Sequence, residues 1–233
     1  MKALILAAGL GTRLKPITDT IPKALFEVHG ITLLEHALTH LKANRIREVI
    51  INVHHFPDMI LDFLKAHDKF GLEIAISDES DELLETGVGL RKAAWFFSDG
   101  NPFLVRNVDV LSELDLEKML IFHNQSQSMV TLAVRNRETS RYFLFNEQHQ
   151  LSGWENRKNG ERKITRQAGS YHPLAFSGIQ IVSPTIFPLI NEIGKFSLTE
   201  LYLRISADLP IIGYREENSY WHDAGKLISG NLS

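Results

Sequence analysis

The stretch "LILAAGLGTRLKPITDTIPKALFEV", Leu4 to Val28, decides how the rest of the chain is read. Lys2 to Ala7 is an apolar run of the kind that forms a buried parallel strand. It is followed at once by Gly9, Gly11, a Thr-Arg pair, a polar stretch with Pro16 and Pro22, and then Lys23. Glycine after a strand lets the backbone approach a ligand closely, and successive free N–H groups in such a turn make an anion nest. Phosphate is the expected guest. The dinucleotide pattern G-x-G-x-x-G fails at its third position, Leu14, and no Gly-Lys-Ser/Thr follows to make a P-loop. What remains is Gly9, Gly11, Thr12 and Arg13 at one end of the loop and Lys23 at the other. Arg13 can clamp a phosphate bidentately and Lys23 supplies a compact point charge. A glycine-rich connection with two solvated cations is the competing reading.

Outward from this loop, strand-length apolar runs alternate with helical patterns. Helices are expected over Leu33–Leu41, Pro57–Lys65 and Gly87–Phe97, and strands over Glu48–Val53, Leu72–Ile76 and Pro102–Val105. This order implies an α/β fold with a mostly parallel sheet and helices on both faces. After about Asn124 the pattern changes. Strands are expected at Met129–Val134, Tyr142–Phe145 and "LAFSGIQIV", with a polar, Gly-punctuated stretch at 146–163, so the second half reads as a smaller β-rich lobe. There is no internal repeat or long linker. A single domain, 1–233, is expected, with residues 1–124 as a nucleotide-binding half and 125–233 as a sugar-phosphate half ending in a helix.

Composition limits the function. The 233 residues are 44% hydrophobic, enough for a sizeable core. A net charge of −3 offers no broad basic face, so nucleic acid is not an expected partner. The absence of cysteine removes disulfides, thiolate metal sites and a Cys nucleophile. No apolar run approaches the roughly 18 residues that cross a bilayer. The expectation is a cytoplasmic protein without a membrane partner, a monomer or small homo-oligomer.

Two aspartates stand out. Asp109 follows "PFLV", at the carboxyl end of an expected parallel strand, where ligand crevices form. A carboxylate there suits Mg²⁺, which takes few protein oxygens and keeps substrate phosphates as other ligands. Asp223 is its candidate partner. Each also has a plain role open to it, as a turn or N-cap residue. Five of the eight residues Asp78 to Glu85 are acidic and should mostly face solvent, whereas Thr86, Gly87 and Gly89 open a helix whose N–H groups suit a nucleotide. His54 and His55 are adjacent on an extended chain, point oppositely and make poor joint metal ligands.

"LAAGLGTRLKPIT...PKAL" resembles the signature of the sugar-1-phosphate nucleotidyltransferases, which have a Rossmann-like, GT-A-like fold. "LLETGVGL", "LVRNVDVL", "LAFSGIQIV" and "YWHDAGK" resemble that family's further motifs in order along nearly the whole chain. The N-acetylmuramate-1-phosphate uridylyltransferase type, a short form lacking a C-terminal β-helix, is the nearest in pattern. The resemblance implies that Ala8, Gly9, Gly11, Thr12, Arg13 and Lys23 hold a nucleoside triphosphate, with Glu79, Glu85 and Gly87 around base and ribose. It implies Asn107, Ser177 and Gly178 at the sugar phosphate, and Mg²⁺ on Asp109 and Asp223. The catalytic residues are then Arg13, Lys23 and Asp109, and the partners are a nucleoside triphosphate and a sugar 1-phosphate. Where relatives carry Glu-Lys-Pro with a phosphate-binding lysine, this chain has Trp154-Glu155-Asn156, leaving Arg157, Lys158, Arg162 and Lys163 as candidate cations. A guanylyltransferase acting on mannose 1-phosphate, a nucleotide-sugar-dependent glycosyltransferase and a silent nucleotide-sugar binder are the alternatives.

Overall fold

β1 (Ala3–Leu6) runs through the centre of the molecule, buried at Ala3, Leu4 and Ile5. The structure, a computed structural model, describes residues 1–79 and 84–225, and of Arg13 the backbone. The middle of the acidic run and the expected C-terminal helix lie outside the described residues. After the loop come a two-stranded ribbon, β2 (Glu27–Val28) and β3 (Ile31–Thr32), and α1 (Leu33–Ala43). Thr32 caps α1 by accepting from the Glu35 N–H at 3.1 Å, and Leu34, Ala37, Leu38 and Leu41 make its buried stripe. β4 (Glu48–Val53), α2 (Pro57–Ala66), β5 (Glu73–Asp78) and α3 (Thr86–Lys92) follow, with Pro57 at the first turn of α2. Next are β6 (Phe103–Asn107), β7 (Val110–Ser112), α4 (Leu116–Gln125) and β8 (Val130–Arg135). β9 (Arg141–Phe145), β10 (Leu151–Asn156), β11 (Glu161–Ile164) and β12 (His172–Val182) precede α5 (Leu198–Ile205), β13 (Ile211–Arg215) and β14 (Trp221–Asp223).

The first half is a parallel sheet in the order β5-β4-β1-β6. Beyond β6 the sheet becomes mixed, because β12 lies antiparallel to β6 and β8. One face packs on α1, α2 and α4, and the other on α3 and α5, giving the helix-flanked α/β sheet that the alternating pattern implied. The β-rich half is therefore built onto the same ten-stranded sheet through β12, rather than beside it.

Three local readings change. The helix expected over Gly87–Phe97 ends at Lys92, and Ala94–Phe97 is a 3₁₀ turn that stacks Phe97 on Phe103, ring centroids 3.9 Å apart. The polar stretch 146–163 contains β10 and most of β11, a hairpin buried at Leu151, Ser152 and Gly153 and exposed along β11, whose polar residues gave no alternation to read. α4 and α5 join the list of elements, each with a side-chain cap, from Asp115 and from Ser197 with Glu200.

Buried His123 and half-buried His40 give the fold a pH dependence. Burial, then the Arg106 charge, pushes His40 from 6.5 down to about 4, and burial pushes His123 to about 4 as well. The unfolded chain binds these protons first, so the stabilisation is complete above pH 6.5 and is lost as pH falls toward 4. Each histidine contributes a slope of up to about 1.4 kcal/mol per pH unit. Burial raises Glu79, which acts in the opposite sense. The free energy of urea unfolding should be at least about 2 kcal/mol lower at pH 5 than at pH 7. His123→Gln should flatten that dependence, and an equal stability at both pH values rejects it.

Candidate active site

The register of the central strands assembles the site. Leu6 of β1 sits level with Asn52 of β4 on one side and Asn107 of β6 on the other. The glycine loop and the Asp109 turn thus leave neighbouring carboxyl ends and face one another across a cleft of about 460 Å³. Ala8, Gly9, Gly11, Thr12, Lys23, Asn107 and Asp109 line it, together with Asn52, Glu85, Thr86 and Lys195.

Asn52 divides the loop in two. Its buried Oδ1 accepts from the N–H groups of Ala7 and Ala8 at 2.6 and 3.3 Å, and its Nδ2 donates to Glu79 Oε1 at 3.0 Å. The nest therefore begins after Ala8. The N–H groups of Gly9, Leu10, Gly11 and Thr12 have no acceptor among the described residues. Gly11 takes φ +60°, and a Cβ there would stand 2.8 Å from Thr18 Cγ2, so the turn requires glycine. Thr18 Oγ1 donates to Gly11 O at 3.1 Å, and a His55 ring nitrogen lies 3.2 Å from Thr18 O. His54 bonds instead to Glu79 O at 2.6 Å, so the two histidines brace different loops, as their alternation predicts. Arg13 lies on the Thr12–Leu14 turn at the same end of the loop.

Lys23 Nζ donates to Asp109 Oδ2 in an ion pair largely screened from solvent. Asp109 is anchored through its backbone, since Ala224 N donates to Asp109 O at 2.9 Å and β14 pairs with β7 so that Asp223 is level with Val110. A Cβ built on Gly225 would be 3.1 Å from Asp223 Oδ1, 3.6 Å from Lys23 Nζ and 4.0 Å from Asp109 Oδ2. A lysine from the start of the chain, an aspartate from its middle and another from its far end thus converge on one spot. Among the described residues no group of three or more His, Cys, Asp or Glu side chains comes together for a metal. Two hard carboxylates beside a phosphate-sized cleft still fit Mg²⁺, which uses one or two carboxylates and takes its other oxygens from substrate and water.

Beneath the Asp109 turn, Arg106 is fully buried. Its Nη2 donates to Val110 O, and its Nη1 meets His40 Nδ1 at 2.9 Å, while His40 Nε2 bonds to Leu114 O at 2.8 Å. This network fixes both ends of the segment that carries Asp109. Neither Arg106 nor Asn52 was singled out from sequence, although each is a polar residue closing an otherwise apolar strand, which is a readable sign of a structural task.

The remaining expected residues fall behind or beside the cleft. Glu79 is 1% exposed and does not line it; one carboxylate oxygen holds Asn52 and the other is buried without a hydrogen bond. Gly87 donates its N–H to Phe196 O at 3.1 Å, and a Cβ on it would come within 2.3 Å of the Phe196 ring, so close packing already requires glycine here. Ser177 is buried and Gly178 is at φ +76°, where the register of β12 against β8 shifts. The bulge and the close approach therefore both occur, with Gly178 placed against Asn107 and Val110. Arg157 and Arg162 pair with Glu155 and Lys163 with Glu161, and these cations stand on the exposed hairpin. Trp221 anchors the strand of Asp223, donating Nε1–H to Ser177 O at 2.8 Å.

The profile of the Nucleotidyl transferase family matches residues 2–149. An N-acetylmuramate alpha-1-phosphate uridylyltransferase of Caulobacter vibrioides is 32% identical over 94% of this chain and 90% of its own. A mannose-1-phosphate guanyltransferase of Yarrowia lipolytica is 28% identical over 97% of this chain, which spans 61% of that protein. A solved UDP-glucose pyrophosphorylase in complex with UDP-glucose superposes with a TM-score of 0.76 at 18% identity, covering 99% of this chain and 97% of its own. The family profile covers more than half of the residues, and a relative above 30% identity runs along nearly all of them. This chain therefore belongs to the nucleotidyl transferase family.

Proposed function

We propose that the protein transfers a nucleoside monophosphate from a nucleoside triphosphate to a sugar 1-phosphate and releases pyrophosphate, with UTP and N-acetylmuramate 1-phosphate or a similar hexose 1-phosphate as substrates. The observation that carries this reading is the convergence of Lys23, Asp109 and Asp223 opposite a loop with unengaged N–H groups. An acceptor phosphate oxygen forms the new bond to the α-phosphorus, and the α–β bridging bond breaks with its electron pair leaving on pyrophosphate. The acceptor phosphate, with a second pKa of about 6, is already largely dianionic at neutral pH and needs no general base. Positioning and charge then supply the catalysis.

In this scheme Gly9, Gly11 and Thr12 cradle the triphosphate beside Ala8, Arg13 draws charge from the leaving β and γ groups, and Lys23 serves the α-phosphate. Asp109 and Asp223 would hold Mg²⁺, which neutralises charge on the reacting phosphates when bound. Asn107, Ser177 and Gly178 form the acceptor side. Glu79 and Gly87 are read as base-side residues that act from behind the cleft wall, Glu79 through Asn52. The whole chain works as one unit, because β12 joins both halves in one sheet. A soluble cytoplasmic protein, monomeric or a small homo-oligomer, is the simplest setting for substrates of this kind. Among the described residues no helix is long and apolar enough to cross a membrane.

The base is chosen by pocket size. A site closed around a single-ring uracil must open to admit guanine, and each buried group left unpaired costs about 1–3 kcal/mol. In a matrix of four triphosphates against a panel of sugar 1-phosphates, scored by pyrophosphate release with Mg²⁺, UTP should exceed GTP in kcat/KM by at least about tenfold with the best acceptor. GTP with mannose 1-phosphate as the better pair would make the guanylyltransferase reading correct, the activity that the name of the Yarrowia relative carries.

A further inference from the structure

We infer that Arg137 is the acceptor-side anion receptor, the residue that binds an oxyanion of the incoming sugar 1-phosphate next to Asp223; this rests on the sugar-1-phosphate reading above. The charge arrangement creates the need. A dianionic acceptor must approach a place where Asp109 and Asp223 already stand together and Lys23 is engaged by Asp109. The cations of the β10–β11 hairpin do not meet it: Arg157, Arg162 and Lys163 pair with the hairpin's own Glu155 and Glu161, and Lys158 stands exposed in its turn.

Arg137 follows the end of β8, half-buried, with its guanidinium 4.4 Å above the ring of Trp221. Its Nη2 donates to Phe176 O at 2.9 Å, next to Ser177, whose own carbonyl takes the Trp221 Nε1–H. That places it between the Ser177–Gly178 bulge and the strand of Asp223. Its Nε is buried without an acceptor, and the opposing charge acting on it is that of Asp223. A half-buried guanidinium that makes one bond to a neutral carbonyl is under-compensated, and a phosphate or carboxylate is the group such a fork matches.

Arg135 shows the contrast. It lies 5.3 Å from the centre of the same ring and shares a buried Nε without an acceptor, but it donates to Ser219 O at 3.2 Å and its opposing charges are Glu217 and Glu216. Both arginines clamp Trp221, while Arg137 alone of the two has Asp223 as its opposing charge.

The oxyanion could be the acceptor's phosphate or, in an acidic sugar, a carboxylate substituent. N-acetylmuramate 1-phosphate carries both, and N-acetylglucosamine 1-phosphate carries the phosphate without the lactyl carboxylate. Arg137→Gln should raise the acceptor KM at least about tenfold, in line with one lost charge-assisted hydrogen bond, and leave the UTP KM within about twofold. Arg137→Lys should recover part of that loss. Arg135→Gln is the control for clamping alone and should not move the acceptor KM. A loss shared by both sugars assigns the phosphate, and a loss confined to the muramate assigns the carboxylate; either supports the inference. An acceptor KM unchanged in Arg137→Gln overturns it, as does a rise in acceptor and UTP KM together that Arg135→Gln reproduces. Calorimetric binding of the two sugar phosphates to wild type and Arg137→Gln separates this inference from the reaction. Loss of binding in the variant upholds Arg137 even where no triphosphate turns over, and equal binding rejects it even where turnover is normal.

Discussion

Asp109→Asn should lower turnover at least about a hundredfold, or roughly 2.7 kcal/mol of barrier, while the protein stays folded. The substitution conserves volume and leaves the backbone anchors in place, namely Ala224 N to Asp109 O and Val108 N to Leu6 O. The hydrogen bonds of the Arg106–His40 network under the turn are kept, although buried Arg106 loses the opposing charge of Asp109. What disappears is one negative charge. Lys23 loses the partner that fixes its ammonium at the mouth of the cleft, and the metal set loses one of its two carboxylates. Both losses fall on groups that serve the reacting phosphates, where preorganised charge counts most. The check is kcat for pyrophosphate release at saturating Mg²⁺, beside a thermal melt. A melt within a few degrees of wild type with turnover reduced less than fivefold would remove Asp109 from the mechanism. The melt should shift by no more than a few degrees, because the backbone anchors remain and both Lys23 and residue 109 keep an opening to the cleft through which water can reach the unpaired ammonium.

The features legible in the sequence are those written in contiguous residues. β1, the glycine loop and Lys23 lie within one short segment, and an apolar run, two glycines and a Pro-Lys pair each have a direct physical meaning. Asp109 was visible because it follows an apolar strand at the end where ligands bind. Residues whose role depends on register were not visible. Asn52 matters because parallel pairing sets it level with Leu6, where it can take the N–H groups of Ala7 and Ala8. Arg137 matters because β12 and β14 bring Phe176 and Trp221 to it from 39 and 84 residues away. The smaller β-rich lobe expected from the change in pattern after Asn124 is joined to the first half as an extension of the same sheet. A strand such as β12 that serves two sheet regions looks locally like any other strand. The short helix at Thr86 was overextended because "AWFF" continues an apolar pattern, although its rings stack against Phe103 in a tighter turn. Glycines, too, were ambiguous: at Gly87 a ligand's close approach and the approach of Phe196 call for the same residue.

Gly178→Ala should destabilise the protein by about 3 kcal/mol and weaken acceptor binding beyond what that loss explains. Gly178 is at φ +76°, a left-handed conformation that costs an L-residue roughly 1–2 kcal/mol. An added Cβ would also stand 2.6 Å from Val110 Cγ2 and 3.3 Å from Asn107 Nδ2. Forcing a methyl group into such a contact costs about 1–3 kcal/mol more. Neither neighbour can yield freely. Val110 begins β7, which pairs with the strand of Asp223, and its carbonyl is held by Arg106. Asn107 lines the cleft and is level with Leu6. The bulge cannot flatten instead, because β12 pairs with β9 and β8 before the shift and with β8 and β6 after it. Regular pairing through Gly178 would put one of those ladders two residues out of register, because the four steps from Phe176 to Gln180 on β12 oppose only the two from Val134 to Leu132 on β8. The strain must therefore pass into Val110 and Asn107, so the acceptor KM should rise several-fold in the variant that remains folded. Gly169→Ala is the control: its Cβ would meet nothing within 4 Å and its φ is ordinary, so its unfolding free energy should stay within about 0.5 kcal/mol of wild type. Urea unfolding and acceptor KM measured on both variants decide the matter. A Gly178→Ala protein as stable as Gly169→Ala would mean that the bulge relaxes at no cost, and that the acceptor side is not held by this contact.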